Sequence, residues 1–116
     1  MTASLERTVI FNPTAEAIAS ILEWDMKLWW PHNEMLIAFL MAYKHTHNQK
    51  YLDKYQLVHD YTFSHFKDNK YGEWYGYLHR DGTVSTTLKG NIFKGPFHIP
   101  RCEMENILQL KEILNK

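Results

Sequence analysis

The chain has 116 residues, and its 13 Lys+Arg are matched by 13 Asp+Glu, so the formal net charge is zero. That length holds one small domain, and the balanced charge supplies neither a basic field for tracking nucleic acid nor an attraction to anionic membranes. Hydrophobic residues make up 45% and aromatic residues 15%, a globular composition with many flat apolar faces of the kind on which sugars stack.

Met1–Phe11 shows no clear period and reads as irregular. Asn12-Pro13 then gives a helix start, an N-cap residue followed by proline at the first helical position. Ile18, Ile21 and Leu22 share one face of a short helix over Ala15–Leu22. Trp24–Pro31 gathers Trp24, Trp29 and Trp30 around Asp25 and Lys27, and its closing proline predicts an irregular loop. Asn33 is the expected cap of the next helix, which carries Met35, Leu36, Phe39, Leu40 and Tyr43 at helical spacing to about Thr46. His47-Asn48-Gln49 reads as a turn. Tyr51, Leu52, Tyr55, Val58, Tyr61, Thr62 and Phe66 mark a second amphipathic helix, and so short a turn makes the pair antiparallel.

Beyond Asp68-Asn69 the pattern changes. Gly72–Leu78 and Thr83–Leu88 are rich in aromatic and β-branched residues, with the turn signal Asp81-Gly82 between them, which predicts a two-stranded hairpin. Gly90–Pro100 reads as irregular. The last helix is expected from near Arg101, burying Met104, Ile107, Leu108, Leu110 and Leu114. The expected architecture is all-α with one inserted β-hairpin.

Seven histidines invite a metal site, but their spacings do not support one. His45 and His47 are two apart, His59 and His65 six apart, and no HExxH or Cys/His pairing occurs. Gly90 to Gly95 fits no phosphate-binding fingerprint. The one cysteine, Cys102, excludes an intrachain disulfide and reads as a packing residue in a reducing compartment. No apolar run has bilayer length and Met1–Ile10 lacks a signal-peptide core, so a cytoplasmic location is expected. Two segments stand out, Lys27–Glu34 and Lys89–Arg101, each mixing aromatics with ionisable groups ahead of a helix. Such segments build sites on helical scaffolds, although core tryptophans and ordinary salt bridges would account for the same composition.

Four strings decide between these readings. Leu22–Glu34 ends in Trp29-Trp30-Pro31-His32-Asn33-Glu34, and Tyr61-Thr62-Phe63-Ser64-His65-Phe66 follows it. Tyr71-Gly72-Glu73-Trp74-Tyr75-Gly76-Tyr77-Leu78 and Lys94-Gly95-Pro96-Phe97-His98-Ile99-Pro100-Arg101 complete the set. In order and spacing they resemble the N-acylglucosamine 2-epimerase family, which includes the cellobiose 2-epimerases and the vertebrate renin-binding protein. The resemblance runs from about Leu22 to the C-terminus and divides the chain into residues 1–21, a non-matching segment with a short helix, and residues 22–116. It implies the C-terminal part of an (α/α)6 barrel, the last quarter to third of a family member. A shortened gene, a shifted reading frame or a deliberately cut piece is the expectation that follows.

The resemblance also implies chemistry. Family members invert C2 of a reducing sugar, as between N-acylglucosamine and N-acylmannosamine, with one histidine on each side of the sugar. His98 falls on one of those histidine positions, and Glu34 and Arg101 fall on positions implicated in activity. Trp30 matches an aromatic lining the sugar pocket, and Phe93 stands where cellobiose epimerases carry Trp. Trp29 and Lys94 complete the substrate-binding set from behind that lining. Read alone, Glu34 could equally be a first-turn helix charge, and Arg101 a structural partner of Glu103 or Glu105. His32 is left out of the catalytic set. The family's other histidine sits in a Gly-His-x-x-Glu segment, and this sequence has none. The expected partner is therefore a small amino sugar, with self-association or pairing with a missing barrel portion, no nucleic acid and no membrane. The resemblance implies no metal or cofactor; it allows a nucleotide effector, whose site is not visible in this sequence. Two alternatives stay open: a non-catalytic carbohydrate-binding or protein-interaction module, and an aldose–ketose isomerase branch of the same superfamily.

Overall fold

A computed structural model describes residues 25–115, in the order β1 (Met26–Leu28), α1 (Trp29–Thr46), α2 (Gln49–His65), β2 (Tyr77–His79) and α3 (His98–Leu114). The short helix expected over Ala15–Leu22 and the boundary at residue 21 lie outside the described residues.

α1 begins earlier than the sequence predicts. It leaves β1 directly at Trp29, with Leu28 extended as the cap residue, so the expected irregular stretch up to Pro31 is strand and helix instead. Pro31 is the third residue of α1, where a backbone N–H has no acceptor within the helix and its loss costs nothing. The Trp29 N–H is satisfied from outside, donating to the Gly76 carbonyl at 3.0 Å. Asn33 is accordingly not a cap but a fully buried residue inside α1.

The turn into α2 follows expectation. His47 takes the left-handed conformation (φ 56°) and donates its N–H to the Tyr43 carbonyl, and the Asn48 side chain accepts from the Lys50 N–H at 3.0 Å. α2 turns Tyr55 and Thr62 inward, and Phe66, just beyond its end, is fully buried.

α3 lies on the other side of α1. Near the start of both helices Glu34 meets His98 and Arg101, and near their ends Lys44 Nζ meets Glu112 Oε1 at 2.5 Å. Contacts matched at both ends make α1 and α3 parallel. α1 is thus the central helix, packed on both sides, and its Leu36 and Leu40 form the centre of the core with Trp29, Phe66, Trp74 and Leu78.

The predicted hairpin is realised only at its turn. Asp81 Oδ1 accepts from the Thr83 N–H and hydroxyl, and Gly82 has φ 94°. The returning limb touches the first through a single bridge, Leu78 to Val84. The ladder partner of β2 is β1, antiparallel, with Met26 opposite His79 and Leu28 opposite Tyr77. Strand propensity marks a segment that fits a sheet and cannot name a partner on the far side of two helices.

The last helix also departs from expectation. It starts at His98, with Pro100 at the same third position that Pro31 holds in α1. Its buried side is Ile99, Cys102, Asn106 and Gln109, with Ile113 partly buried, spaced at three and four residues. The apolar stripe of Met104, Ile107, Leu108, Leu110 and Leu114 is exposed among the described residues. The periodicity is real, but α1 packs on the neighbouring, more polar face. No helix among the described residues is long and apolar enough to cross a membrane.

These placements separate two leucines of similar sequence context. Leu40→Ala, at a fully buried site, is expected to cost about 2–5 kcal/mol in chemical denaturation. Leu114→Ala, at 79% exposure, is expected to stay within about 0.5 kcal/mol of the parent. Equal losses at the two positions would contradict the packing described.

Candidate active site

The two tryptophan- and histidine-bearing segments converge because α1 and α3 start side by side. Glu34 lies in the second turn of α1 and faces α3; no acidic residue occupies the first turn, so it is not a dipole-compensating charge. Its Oε2 accepts a hydrogen bond from His98 Nδ1 at 3.0 Å. Arg101 Nη1 donates to both Glu34 oxygens, at 2.8 and 2.7 Å. Arg101 thereby takes Glu34 as its hydrogen-bonded partner, rather than Glu103 or Glu105 on its own helix.

A carboxylate accepts only, so the contact requires the proton of a neutral His98 to sit on Nδ1. Nε2 is then the lone-pair nitrogen, able to take a proton from a carbon acid and give it back. Burial of Glu34 works to raise its pKa, but the Arg101 and His98 hydrogen bonds and their charges outweigh it and hold the carboxyl below its ordinary value. Arg101 thus favours the ionised form of Glu34, and the carboxylate in turn orients the imidazole.

Three aromatic rings lie close to the imidazole. Trp30 tilts against it with centroids 5.9 Å apart, Trp29 presents an edge at 6.4 Å, and Phe97 meets it edge-on at 4.9 Å. Trp30 remains 43% exposed, so it has a face free for a ligand, whereas Trp29 is core. Phe97 was not singled out in the sequence, although it precedes His98 in the Gly-Pro-Phe-His string.

The remaining candidates stand apart from this cluster. Phe93 is 75% exposed in the segment between β2 and α3. Lys94 is buried, with its ammonium donating to Glu73 Oε2 at 3.1 Å and to the Lys89 carbonyl at 2.8 Å. Glu73, which sequence reasoning passed over, sits at φ 63°, and its other oxygen accepts from the Trp74 N–H. His32 turns away from the cluster: its Nδ1 donates to the Leu28 carbonyl at 2.6 Å, its ring stacks on Tyr61, and burial lowers its pKa. Cys102 is buried against Asn33 and Asn106, and burial pushes its thiol up to about 11, the behaviour of a packing residue. Among the described residues no three His, Cys, Asp or Glu side chains gather as metal ligands.

The geometry assigns the low Glu34 pKa to its two partners. Arg101→Met should move the Glu34 titration upward, followed by carboxyl-carbon NMR, and His98→Ala should move it in the same direction by less. An unmoved Glu34 titration in Arg101→Met would contradict the assignment.

Comparison with known proteins places the chain in a family. Residues 5–101 match N-acylglucosamine 2-epimerase (GlcNAc 2-epimerase), a match that begins upstream of the strings quoted from Leu22 onward. An N-acylglucosamine 2-epimerase of Bos taurus is 53% identical over 94 residues, covering 81% of this chain and 21% of that protein. One of Rattus norvegicus is 54% identical over 92 residues, covering 79% of this chain and 22% of its own. The matched part of the chain therefore spans about a fifth of the length of these curated relatives. Among solved structures, the cellobiose 2-epimerase of Spirochaeta thermophila DSM 6192 superposes with a TM-score of 0.70 at 28% identity, over 77% of this chain and 23% of that one. The cellobiose 2-epimerase of Bacillus thermoamylovorans B4167 gives 0.66 at 27% identity, over 72% and 22%. The chain belongs to the N-acylglucosamine 2-epimerase family, and its helices are part of that family's (α/α)6 barrel.

Proposed function

We propose that this chain carries one half of a sugar 2-epimerase active site, in which His98 transfers the C2 proton of an amino sugar between N-acylglucosamine and N-acylmannosamine. The observation that carries the reading is the Glu34 carboxylate held between His98 Nδ1 and Arg101 Nη1. Ring opening exposes a C1 aldehyde, and the hydrogen on C2 becomes removable because the resulting carbanion delocalises as an enediolate. His98 Nε2 accepts or returns that proton on one face of C2. The imidazolium formed is stabilised by Glu34, as a carboxylate stabilises the histidine in other proton-transfer sites. Arg101 holds Glu34 ionised through the cycle, and Trp30 offers its exposed face to the sugar.

Inversion needs a second proton-transfer group on the opposite face. No Gly-His-x-x-Glu segment occurs in the 116 residues, and none of the other histidines joins the Glu34 cluster. The second group therefore comes from outside this chain, and the chain by itself gives no useful epimerisation. The exposed stripe of Met104, Ile107, Leu108, Leu110 and Leu114 supports association, since a row of this kind is what a helical barrel covers with neighbouring helices. A cytoplasmic location belongs to the same proposal and rests on the single cysteine.

A chimaera tests the reading, with this chain replacing the matching fifth of the Bos taurus relative. The isolated chain should leave N-acetylmannosamine unchanged, the chimaera should convert it to N-acetylglucosamine, and His98→Ala in the chimaera should lose at least about 100-fold in rate. Conversion by the isolated chain, or by the His98→Ala chimaera at an undiminished rate, would overturn it.

A further inference from the structure

The Lys94 side chain is 1% exposed, an unusual environment for an ammonium group with no place in the proton-transfer cluster. A buried cation needs a counter-charge and hydrogen bonds, and Lys94 has both in the Glu73 carboxylate and the Lys89 carbonyl. Its surroundings are tied down from several directions. Asn91 Oδ1 accepts from the Phe93 and Lys94 N–H groups, and Asn91 Nδ2 donates to the Tyr77 hydroxyl. Lys89 in turn donates to Asp68 Oδ2 at 2.6 Å and to the Gly72 carbonyl. The segment ahead of α3 is thus pinned to residues 68–77 by two lysine ion pairs.

The stem of Lys94 reaches the site by way of Gly76. A Cβ placed on Gly76 would lie 2.7 Å from Lys94 Cδ and 3.4 Å from Trp29 Cε3, so both side chains crowd the same face of this glycine. The Gly76 carbonyl also accepts the Trp29 N–H that starts α1, and the Trp29 and His98 rings stand nearly perpendicular with centroids 6.4 Å apart. Glycine is required there because any side chain would strike a stem whose far end cannot move without breaking its ion pair.

We propose that Lys94 is a positioning residue for His98: anchored by Glu73 and packed over Gly76 beside Trp29, it sets where the indole stands and hence where the imidazole meets Glu34. The inference rests on the role given to His98 above only for its catalytic meaning. The positional coupling itself is a property of this chain and is read without turnover.

The test is nitrogen-15 NMR of His98 in the full chain, at a pH where its imidazole is neutral, reporting which nitrogen carries the proton. Lys94→Met keeps the apolar stem and removes the ammonium; Gly76→Ala adds the clashing Cβ; Glu34→Leu, which removes the acceptor, serves as the direct-contact control. Both Lys94→Met and Gly76→Ala should shift the His98 ring resonances and lose Nδ1-protonated tautomer, as the loss of the acceptor in Glu34→Leu should. In the Gly76→Ala/Lys94→Ala pair, room for the Cβ should make the alanine's effect smaller than in the Lys94 background. If Gly76→Ala does not fold, Lys94→Met alone decides: a shifted tautomer balance upholds the proposal, and an unchanged one overturns it. Strict additivity in folded proteins would also overturn it. Should the resonances shift as expected while the chimaera turns over without His98, the positional coupling stands and the catalytic reading fails.

Discussion

One carboxylate organises the site. Glu34 is the point where α1 and α3 exchange charge, and it accepts hydrogen bonds from two different side chains of α3. Without it His98 would have no fixed proton on Nδ1, and Arg101 would be a surface cation. Charge-assisted hydrogen bonds are stronger and more directional than neutral ones, so the contact fixes orientation as well as proximity. It also requires the two helices to start level with one another. The Lys44–Glu112 pair at their far ends holds the same alignment from the other side.

Level starts depend on unusual helix beginnings. Both helices carry proline at their third position, Pro31 directly after Trp30 and Pro100 two residues after His98. Proline there fixes φ without forfeiting an intrahelical hydrogen bond, which stiffens the turn that presents Trp30 and His98. Neither start has a side-chain cap. For α1 the missing acceptor is the Gly76 carbonyl at the end of the segment leading into β2, so the helix start is built by a contact between distant parts of the chain.

That distinction explains what could be read beforehand. The α1–α2 turn was legible because its signals are local: a left-handed His47 and an Asn48 cap between two apolar periodicities. The Asp81-Gly82 turn was legible for the same reason. The starts of α1 and α3 were not, because proline reads as a stop unless it falls in the first turn, and that depends on where the helix begins. The pairing of β2 with β1 was not, because it joins segments on either side of two helices. The side of α3 that packs was misread because the helix has two candidate faces, and the more apolar one is not the one against α1. In the site, His98, Glu34, Arg101 and Trp30 stood out through a family resemblance, while their contact could only be seen in three dimensions. Glu73 and Gly76 lie inside the quoted Tyr71–Leu78 string, but nothing local in the sequence shows that they meet Lys94 and Trp29.

The proposed chemistry divides the two faces of C2 between His98 and a group supplied from outside the chain. Solvent deuterium distinguishes the faces. With the chimaera in D2O, the intact site should place deuterium at C2 of both N-acetylglucosamine and N-acetylmannosamine. With His98→Ala, exchange should persist from one epimer through the remaining base, without inversion, and be lost from the other. Exchange from both epimers at the rates of the intact protein would contradict the account, because no C2 proton would then pass through His98.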